Sequence, residues 1–541
     1  RLVLFVVAAD EGWKPQSEEH LAILDVLGVE GAVVALTKRD LVDEEALEMA
    51  RAEAEERIAS TALAGAPIVP VSATTGEGVE EIAAALEDMI AAATLPAEKE
   101  RPRQFIDRVF SIRGAGTVVT GTLTGGSIRV GEDVEIAPRG VRARVRGLQT
   151  HKRSLEEASA GTRVAVNLSG AERADLQRGD VLTHPRAWRS TSAFEAELRG
   201  VRGLRHAVSD RGSYKLHAGS AERDARIRLY GVAELGADDR SFARVRLSAP
   251  FPLEAGDRFV LRDTGRRETV AGGVVLEVAP PSRPGRDAAE RLAARRNAER
   301  SRIADLTVEE RGAVRASEVL LLTGREPAEA HRVGEWFVSD ALHRGVVEDA
   351  TAAFSRFHGA SPMREGADVA FARTAVSESL HRRSLAATDV LVDAILDDLV
   401  ATGVLARTGG TLRLSSHRII LGEREEEIER LVRAIADAEP TPPTVAELIS
   451  TGTKRDAIDA AITTERLVRV SSDIVMTPEL VASAERIVRE LGGAGITVSA
   501  FRERLGTSRK FALPLLEHFD ARGITLRRGD VRVLREGAAQ R

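Results

Sequence analysis

Two short segments carry residue types able to read a nucleobase. Residues 32–40 run Ala-Val-Val-Ala-Leu-Thr-Lys-Arg-Asp, an apolar strand ending in Thr37-Lys38-Arg39-Asp40. Further on, Pro67-Ile68-Val69-Pro70-Val71 runs into Ser72-Ala73-Thr74-Thr75-Gly76-Glu77-Gly78. A carboxylate just past a strand end accepts two hydrogen bonds, and guanine offers two adjacent donors, N1–H and its exocyclic amine. Adenine has no donor at N1 and would leave that carboxylate unpaired, which is a strong basis for discrimination. Asp40 has the required place. The alkyl stem of Lys38 can lie along the base, and the Thr37 hydroxyl can tie the loop. The backbone N–H of Ala73 would meet guanine O6, with Ser72 bracing its turn. One such loop is also an ordinary βα turn. Two of them, in order at the carboxyl ends of strands where ligands bind in parallel sheets, favour the guanine reading.

The chain contains no Gly-x-x-x-x-Gly-Lys-Ser/Thr segment and no Gly-Lys dipeptide. No residue is therefore read as cradling phosphates, holding Mg²⁺ or positioning water, and no catalytic residue or metal ligand is assigned. Asp10, past the end of strand 2–8, reads as a loop or helix-cap residue. His151 reads as a turn or core histidine, and His20 and His217 lack partners at metal spacing.

These segments need elements to hold them. Strands at 2–8, 32–36 and 67–71 alternate with helices near 15–27, 43–60 and 78–93, so residues 1–95 predict a parallel α/β sheet. Three such strands leave an apolar edge open. After a charged linker from Pro96 to Pro102, strands at 105–112, 116–123, 133–136, 142–148, 162–168 and 181–183 predict a β-barrel over 101–186. Strands at 194–201, 225–232, 242–248 and 258–264 predict a second barrel over 190–280. Pro280-Pro281-Ser282-Arg283-Pro284-Gly285 breaks the pattern. Beyond it, groups of three helices are each closed by a hairpin, the pattern of winged-helix modules. Four are expected, at 286–350, 351–420, 421–478 and 479–541.

A chain of 541 residues is long enough for several such domains. The absence of cysteine excludes disulfides, thiolate zinc sites and a cysteine nucleophile. Leu2–Ala9 reads as a buried strand, and no run reaches membrane-spanning length. The net charge of −6 argues neither for nor against nucleic acid, but its distribution is uneven. Residues 497–541 hold ten Lys/Arg against five Asp/Glu. Thr507-Ser508 is expected to cap a helix Arg509–Arg522, placing Arg509 and Lys510 in a first turn that favours a docked anion. Arg527 and Arg528 fall on the wing. Arg504, Ser508, Arg509, Lys510, Arg527 and Arg528 are thus candidates to grip RNA phosphates, against the readings of a solvated charged face or a DNA-binding helix. The acidic run Glu423–Glu429 reads as a solvated helix face.

Longer motifs carry a family resemblance. Ala8-Ala9-Asp10-Glu11-Gly12-Trp13-Lys14-Pro15-Gln16-Ser17-Glu18-Glu19-His20-Leu21 resembles the segment that follows the switch region in elongation-factor GTPases, and the two base-reading loops resemble those of GTP-binding proteins. Asp107-Arg108-Val109-Phe110-Ser111-Ile112-Arg113-Gly114-Ala115-Gly116-Thr117-Val118-Val119-Thr120-Gly121, with Gly161-Thr162-Arg163-Val164, is similar to their second domain, which binds the aminoacyl end of tRNA in the elongation factor Tu group. Phe501–Glu517 resembles the final winged helix of the bacterial selenocysteine-specific elongation factor family, SelB. The resemblance implies a multidomain chain: a partial α/β P-loop GTPase domain, two β-barrels of elongation factor Tu type, then tandem winged helices. The P-loop part is expected to lie upstream of Arg1.

The same resemblance implies GTP as cofactor, with Mg²⁺ in the intact family protein. Its implied partners are selenocysteinyl-tRNA, a selenocysteine insertion hairpin in mRNA, and the ribosome, met by a monomer in the cytoplasm with no membrane contact. It places Asp107, Arg108 and Arg163 in the aminoacyl pocket. General factors carry an acid where Arg108 stands. Two guanidiniums favour a selenolate, anionic at neutral pH, over the neutral hydroxyl of serine. Read from the residues alone, Arg108 and Arg163 are surface arginines pairing with acids such as Asp107 or Glu135. The implied function is delivery of selenocysteinyl-tRNA to UGA codons. A non-catalytic RNA tether and a general aminoacyl-tRNA carrier are the alternatives, and Arg108 and the tail disfavour the latter.

Overall fold

The computed structural model describes residues 2–93, 101–112, 116–283, 285–361, 364–417, 425–492 and 495–535. Linker residues 96–100, Arg113–Ala115 of the barrel motif, Pro284, Glu423, Glu536 and Arg541 lie outside the described residues. The chain forms two compact units, Arg1–Ala330 and His331–Arg541.

The first unit opens with three parallel strands, β1 Leu2–Ala8, β2 Gly31–Thr37 and β3 Ile68–Pro70, in the order β1-β2-β3. Helices α1 Pro15–Leu27, α2 Glu44–Ile58 and α3 Val79–Ala92 follow the strands in turn. Central β2 is an unbroken apolar run, and its Val33, Val34 and Leu36 are fully buried, as expected of a strand covered on both faces. Ala8 pairs with Thr37 and Leu36 with Pro70, so all three strands end at one level. That common edge brings the two candidate guanine loops together. Strand β1 leaves Leu4 and Val6 exposed, in keeping with the open apolar edge expected of three strands.

The first barrel contains β4 Arg103–Ile112, β5 Gly116–Leu123, β6 Ser127–Arg129, β7 Asp133–Ala137, β8 Val141–Thr150, β9 Arg153–Leu155, β10 Glu157–Ser159, β11 Arg163–Ser169 and β12 Val181–Thr183. Seven of them run β11-β5-β4-β12-β7-β8-β9, and a further β11–β8 pairing closes the sheet around Ile106, Val119, Leu123, Val134 and Val166.

The second barrel is closed by six strands: Ser190–Gly200, Arg240–Pro252, Ala221–Leu229, Tyr214–Ala218, Arg258–Asp263 and Thr269–Glu277. The sequence reading placed four and missed Tyr214–Ala218 and Thr269–Glu277. The latter carries Gly272-Gly273 in its interior, which weakens a strand signal. The glycine has a packing cause: a Cβ on Gly272 would stand 2.6 Å from Val26 of α1. Helix α1 lies against this strand, fixed by Arg199–Asp25 (3.1 Å) and Arg262–Glu19 (2.6 Å). Helices Ala288–Asn297 and Ile303–Arg311 are held to the same barrel by Arg295, which is 3% exposed and pairs with Glu277 at 2.6 Å and Glu310 at 2.8 Å.

In the second unit, three-helix groups close on the hairpins Leu405–Thr408/Thr411–Leu414, Val468–Arg469/Val475–Met476 and Thr525–Arg528/Val531–Leu534. The stretch expected as the first module, 286–350, falls partly in each unit. Helix Asp340–Ala360 runs unbroken through the division expected at 350/351. Its start is capped by Ser339, whose hydroxyl accepts from the Leu342 N–H. The division expected at 478/479 separates elements but not cores: Val470, Ile474 and Met476 pack in one cluster with Phe501, Phe511, Leu515 and Phe519.

Near the end of helix 340–360, buried His358 stacks on His417 with ring centroids 3.6 Å apart and accepts the Leu414 N–H at 3.3 Å. Burial, then the neighbouring His417 and Arg413, pushes His358 down to about 4. The unfolded chain therefore takes up this proton first as pH falls. The stabilising contribution is complete above about pH 6.5 and is lost as pH falls from there towards 4. Hydrogen exchange of residues 340–360 and 405–414 in the whole chain should show protection falling over that window. The fall should be shallower, by about one proton's worth of slope, in His358→Gln.

Candidate functional site

Lys38 takes a left-handed backbone conformation, φ 60°, at the end of β2, an uncommon state for a residue with a side chain. The bend turns residues 39–41 into a single 3₁₀ turn that leaves Asp40 exposed. Among the described residues nothing pairs with the Asp40 carboxylate. The Thr37 hydroxyl donates to the Val7 carbonyl at 3.3 Å and so ties the loop to β1. The Lys38 ammonium reaches back to Asp10 at 2.9 Å and Glu11 at 2.8 Å. Its hydrogen bonds to Glu11 and then to Asp10 push Lys38 up, and the same Lys38 contact holds Glu11 below the usual carboxylate range. Asp10 is thus the anchor of the lysine rather than a helix cap.

The second loop is a closed turn. Fully buried Ser72 accepts the N–H groups of Thr74 and Thr75 on its hydroxyl at 3.3 and 3.1 Å. Its own N–H donates to the Glu77 carbonyl and its carbonyl accepts the Gly76 N–H. Gly78, at φ 76°, lies against the end of β3, where a Cβ would meet the Pro70 carbonyl oxygen at 2.0 Å. Exposed Ala73 presents an N–H that takes no described acceptor. The sequence reading passed over Arg39, which joins the loops. Its N–H donates to the Val71 carbonyl, and its guanidinium donates to Glu44 at 2.6 Å and lies 3.7 Å from Glu77. A Lys-x-Asp pattern leaves that position unspecified, so only the approach of the second loop marks it.

On the first barrel, Asp107, Arg108 and Arg163 meet on one outer face. Strand β4 shifts register between Ile106 and Arg108. The Asp107 carboxylate accepts from Arg163 on one oxygen and from the Thr120 hydroxyl on the other, at 2.6 Å. Burial pushes Asp107 up, but the bonds from Arg163 and Thr120 outweigh it and hold the carboxyl below its ordinary range. Arg163 is therefore paired with an acid, as the simpler reading of the residues held. Exposed Arg108 has no hydrogen-bond or ion-pair partner among the described residues. The same hairpin borders a cleft of about 620 Å³ lined by Ile112, Gly116, Thr117, Arg146, Leu168 and Ser169, among others.

The candidate RNA residues stand on the last winged helix. Helix Arg509–Ala521 starts at Ser508, whose side chain makes no capping bond, and Thr507 instead donates to the Pro440 carbonyl at 2.6 Å. Lys510 lies 3.7 Å from Glu447 and Arg504 lies 3.4 Å from Glu490. Arg527 donates to the Gly529 carbonyl. Arg509 and Arg528 are exposed and unpaired among the described residues. The described residues contain no cluster of three His, Cys, Asp or Glu able to hold a metal ion, so no residue is assigned to Mg²⁺.

A nucleotide-type sheet, two barrels and winged helices in this order are the layout of a translation elongation factor, and comparison with known proteins narrows the class. Residues 2–92 match the elongation factor Tu GTP binding domain and 116–183 its domain 2. Residues 203–282 match the β-barrel domain of selenocysteine-specific elongation factor, and 351–414 and 486–534 match winged helices of elongation factor SelB. The selenocysteine-specific elongation factor of Desulfomicrobium baculatum is 31% identical over 99% of this chain and 87% of its own length. That of Escherichia coli is 28% identical over 98% and 86%. In fold, the chain resembles the crystal structure of bacterial selenocysteine-specific elongation factor EF-Sec, with a TM-score of 0.63 and 22% identity over 98% of this chain and 86% of that one. The chain belongs to the selenocysteine-specific elongation factor family.

The Ser72 turn gives a local test. Ser72→Ala should remove exchange protection from the Thr74 and Thr75 amides while Gly76, bonded to the residue 72 carbonyl, stays protected. Global stability should fall by about 1 kcal/mol. Retained protection at Thr74 and Thr75 would show that the hydroxyl does not hold the turn.

Proposed function

We propose that this chain binds GTP and selenocysteinyl-tRNA and brings the tRNA to the ribosome at UGA codons while its last winged helix holds a hairpin in the message. The observation that carries the reading is Arg108. An uncommitted guanidinium beside an acid-paired one gives the barrel face one unneutralised positive charge. A selenolate satisfies that charge and a serine hydroxyl does not. The cleft further along the same hairpin, lined by Ile112, Leu168 and Arg146 among others, would take the terminal nucleoside of the same tRNA.

The loops at the ends of β2 and β3 would hold the guanine base, with Asp40 accepting from N1–H and the amine and the Ala73 N–H donating to O6. No step of GTP hydrolysis is assigned to a residue described here. Arg509, Arg527, Arg528 and, once freed from Glu447, Lys510 would meet phosphates of the message hairpin between helix start and wing. No helix among the described residues is long and apolar enough to cross a membrane, and we place the protein in the cytoplasm with the ribosome.

Two substitutions test the reading. Arg108→Asp should weaken selenocysteinyl-tRNA binding at least about tenfold more than seryl-tRNA binding, because it replaces the partner of the anion with a like charge. Equal losses for both forms would remove the pocket assignment. Asp40→Ala should lower affinity for GTP by about tenfold or more without changing binding of the message hairpin. Unchanged GTP affinity would show that Asp40 does not read the base.

A further inference from the structure

Along an antiparallel strand successive side chains face opposite ways, and the bulge in β4 breaks that alternation at one place. Ile106 is fully buried and Val109 packs against the barrel core, so the two residues between them, Asp107 and Arg108, both face outward. Thr120 on β5 stands directly opposite Arg108 in the ladder, and Arg163 on β11 stands opposite Thr122. Asp107 thus has cations on two sides: Arg108, its neighbour in sequence, and Arg163, two strands away. An acid so placed can neutralise either. Here both its oxygens are engaged, one by Arg163 and the other by the Thr120 hydroxyl at 2.6 Å. Arg108 adds only a longer-range attraction to that carboxyl.

We propose that Thr120 is a positioning residue for anion selection: its hydroxyl holds Asp107 on Arg163 and thereby keeps the guanidinium of Arg108 free for the selenolate of the substrate. Valine has the same β-branched shape and suits the strand equally well, so shape alone does not require a hydroxyl at this half-buried position. Without the O–H, one oxygen of Asp107 loses its donor, and the adjacent guanidinium is the replacement within reach. Asp107 would then be shared between the two arginines, and the charge presented to substrate would fall. Arg163 acts in this scheme as the counter-ion that draws the acid aside, and Arg108 as the group that meets the ligand.

The proposal rests on the functional reading above, and the test separates the two. Equilibrium binding of one tRNA, charged with selenocysteine or with serine, is measured with the whole chain in wild-type form and as Thr120→Val, Thr120→Ser, Asp107→Asn and the Asp107→Asn/Thr120→Val double variant. Thr120→Val should cut the preference for the selenocysteinyl form about tenfold, the scale of one hydrogen bond to a charged group. Thr120→Ser should keep the wild-type preference within about twofold. In the Asp107→Asn background Thr120→Val should change the preference no further, because the acid it positions is gone. The proposal is overturned if Thr120→Val keeps the wild-type preference, if it weakens both charged forms equally, or if its effect persists in the Asp107→Asn background. A wild-type chain without any preference overturns the functional reading and the proposal with it. A wild-type preference that Thr120→Val leaves unchanged overturns the proposal alone.

Discussion

The two barrels are joined through a buried ion pair. Arg103, 3% exposed, directs two guanidinium nitrogens onto the two oxygens of Asp257, at 2.6 and 2.7 Å. Trp188 lies between Arg103 and Arg101, at 4.4 and 4.2 Å from the two guanidinium carbons. A bidentate pair in this setting fixes direction as well as distance, and removing one partner of such a pair costs about 3–5 kcal/mol because the other is left charged and dry. Two residues further along β4, Phe105 stacks on Phe251, and then the Ile106 carbonyl accepts the Ser220 hydroxyl at 2.8 Å. The first residues of β4 are therefore clamped on the second barrel. The bulge follows at once. The bulge that turns Asp107 and Arg108 outward thus starts directly beside the interface between the barrels.

The second barrel is also the seat of the nucleotide-type sheet. Val26 packs onto Gly272, and Asp25 and Glu19 of the same helix pair with Arg199 and Arg262. The candidate guanine loops and the face that carries Asp107, Arg108 and Arg163 are thus both registered against one six-stranded barrel, the loops through α1 and the face through β4. Helix α1 follows β1, whose register with β2 sets the level of the Thr37 loop. A displacement of α1 on the barrel would reach that loop through backbone hydrogen bonds.

How far this was legible in the sequence varied with how local the cause was. The strands β1, β2, β4 and β5 and the helices after β1 and β2 were readable, because apolar runs and turn residues fix them within a few positions. The five candidate loop residues Thr37, Lys38, Asp40, Ser72 and Ala73 were picked by type and spacing and stand at one edge of the sheet, and Asp107, Arg108 and Arg163 were picked from a motif and stand on one face of the first barrel. What stayed hidden depends on contacts distant in the chain. The strand Thr269–Glu277 carries Gly272 for the sake of α1, some 250 residues earlier in the chain, and Gly273 for the sake of Phe259 and Glu197 across the barrel. Arg39 matters because β3 ends beside it. Thr507 was read as part of a cap and instead reaches Pro440, and Lys510, read as a cation of the first helical turn suited to a docked anion, faces Glu447. Nothing in the type or spacing of Thr120 marks its bond to Asp107, which depends on the bulge in the strand opposite.

The way charges are paired follows the chemistry each site would meet. Guanine is neutral, and the cation of its loop, Lys38, is already matched by Asp10 and Glu11. In the proposed function, recognition there would be left to directional groups, the Asp40 carboxylate and the Ala73 N–H. A selenolate is an anion, and the barrel face keeps one arginine unmatched beside one that is matched. On the last winged helix the pairing is graded: Arg509 and Arg528 stand bare among the described residues, whereas Lys510 and Arg504 each face an acid. A phosphate meeting a bare guanidinium gains the whole interaction, and one meeting Lys510 gains only the difference from Glu447. Affinity for a message hairpin would therefore concentrate on Arg509 and the wing. In the proposed function the paired cations would contribute less to strength than to where the RNA sits, because they would engage only when a phosphate arrives close enough to displace the acid.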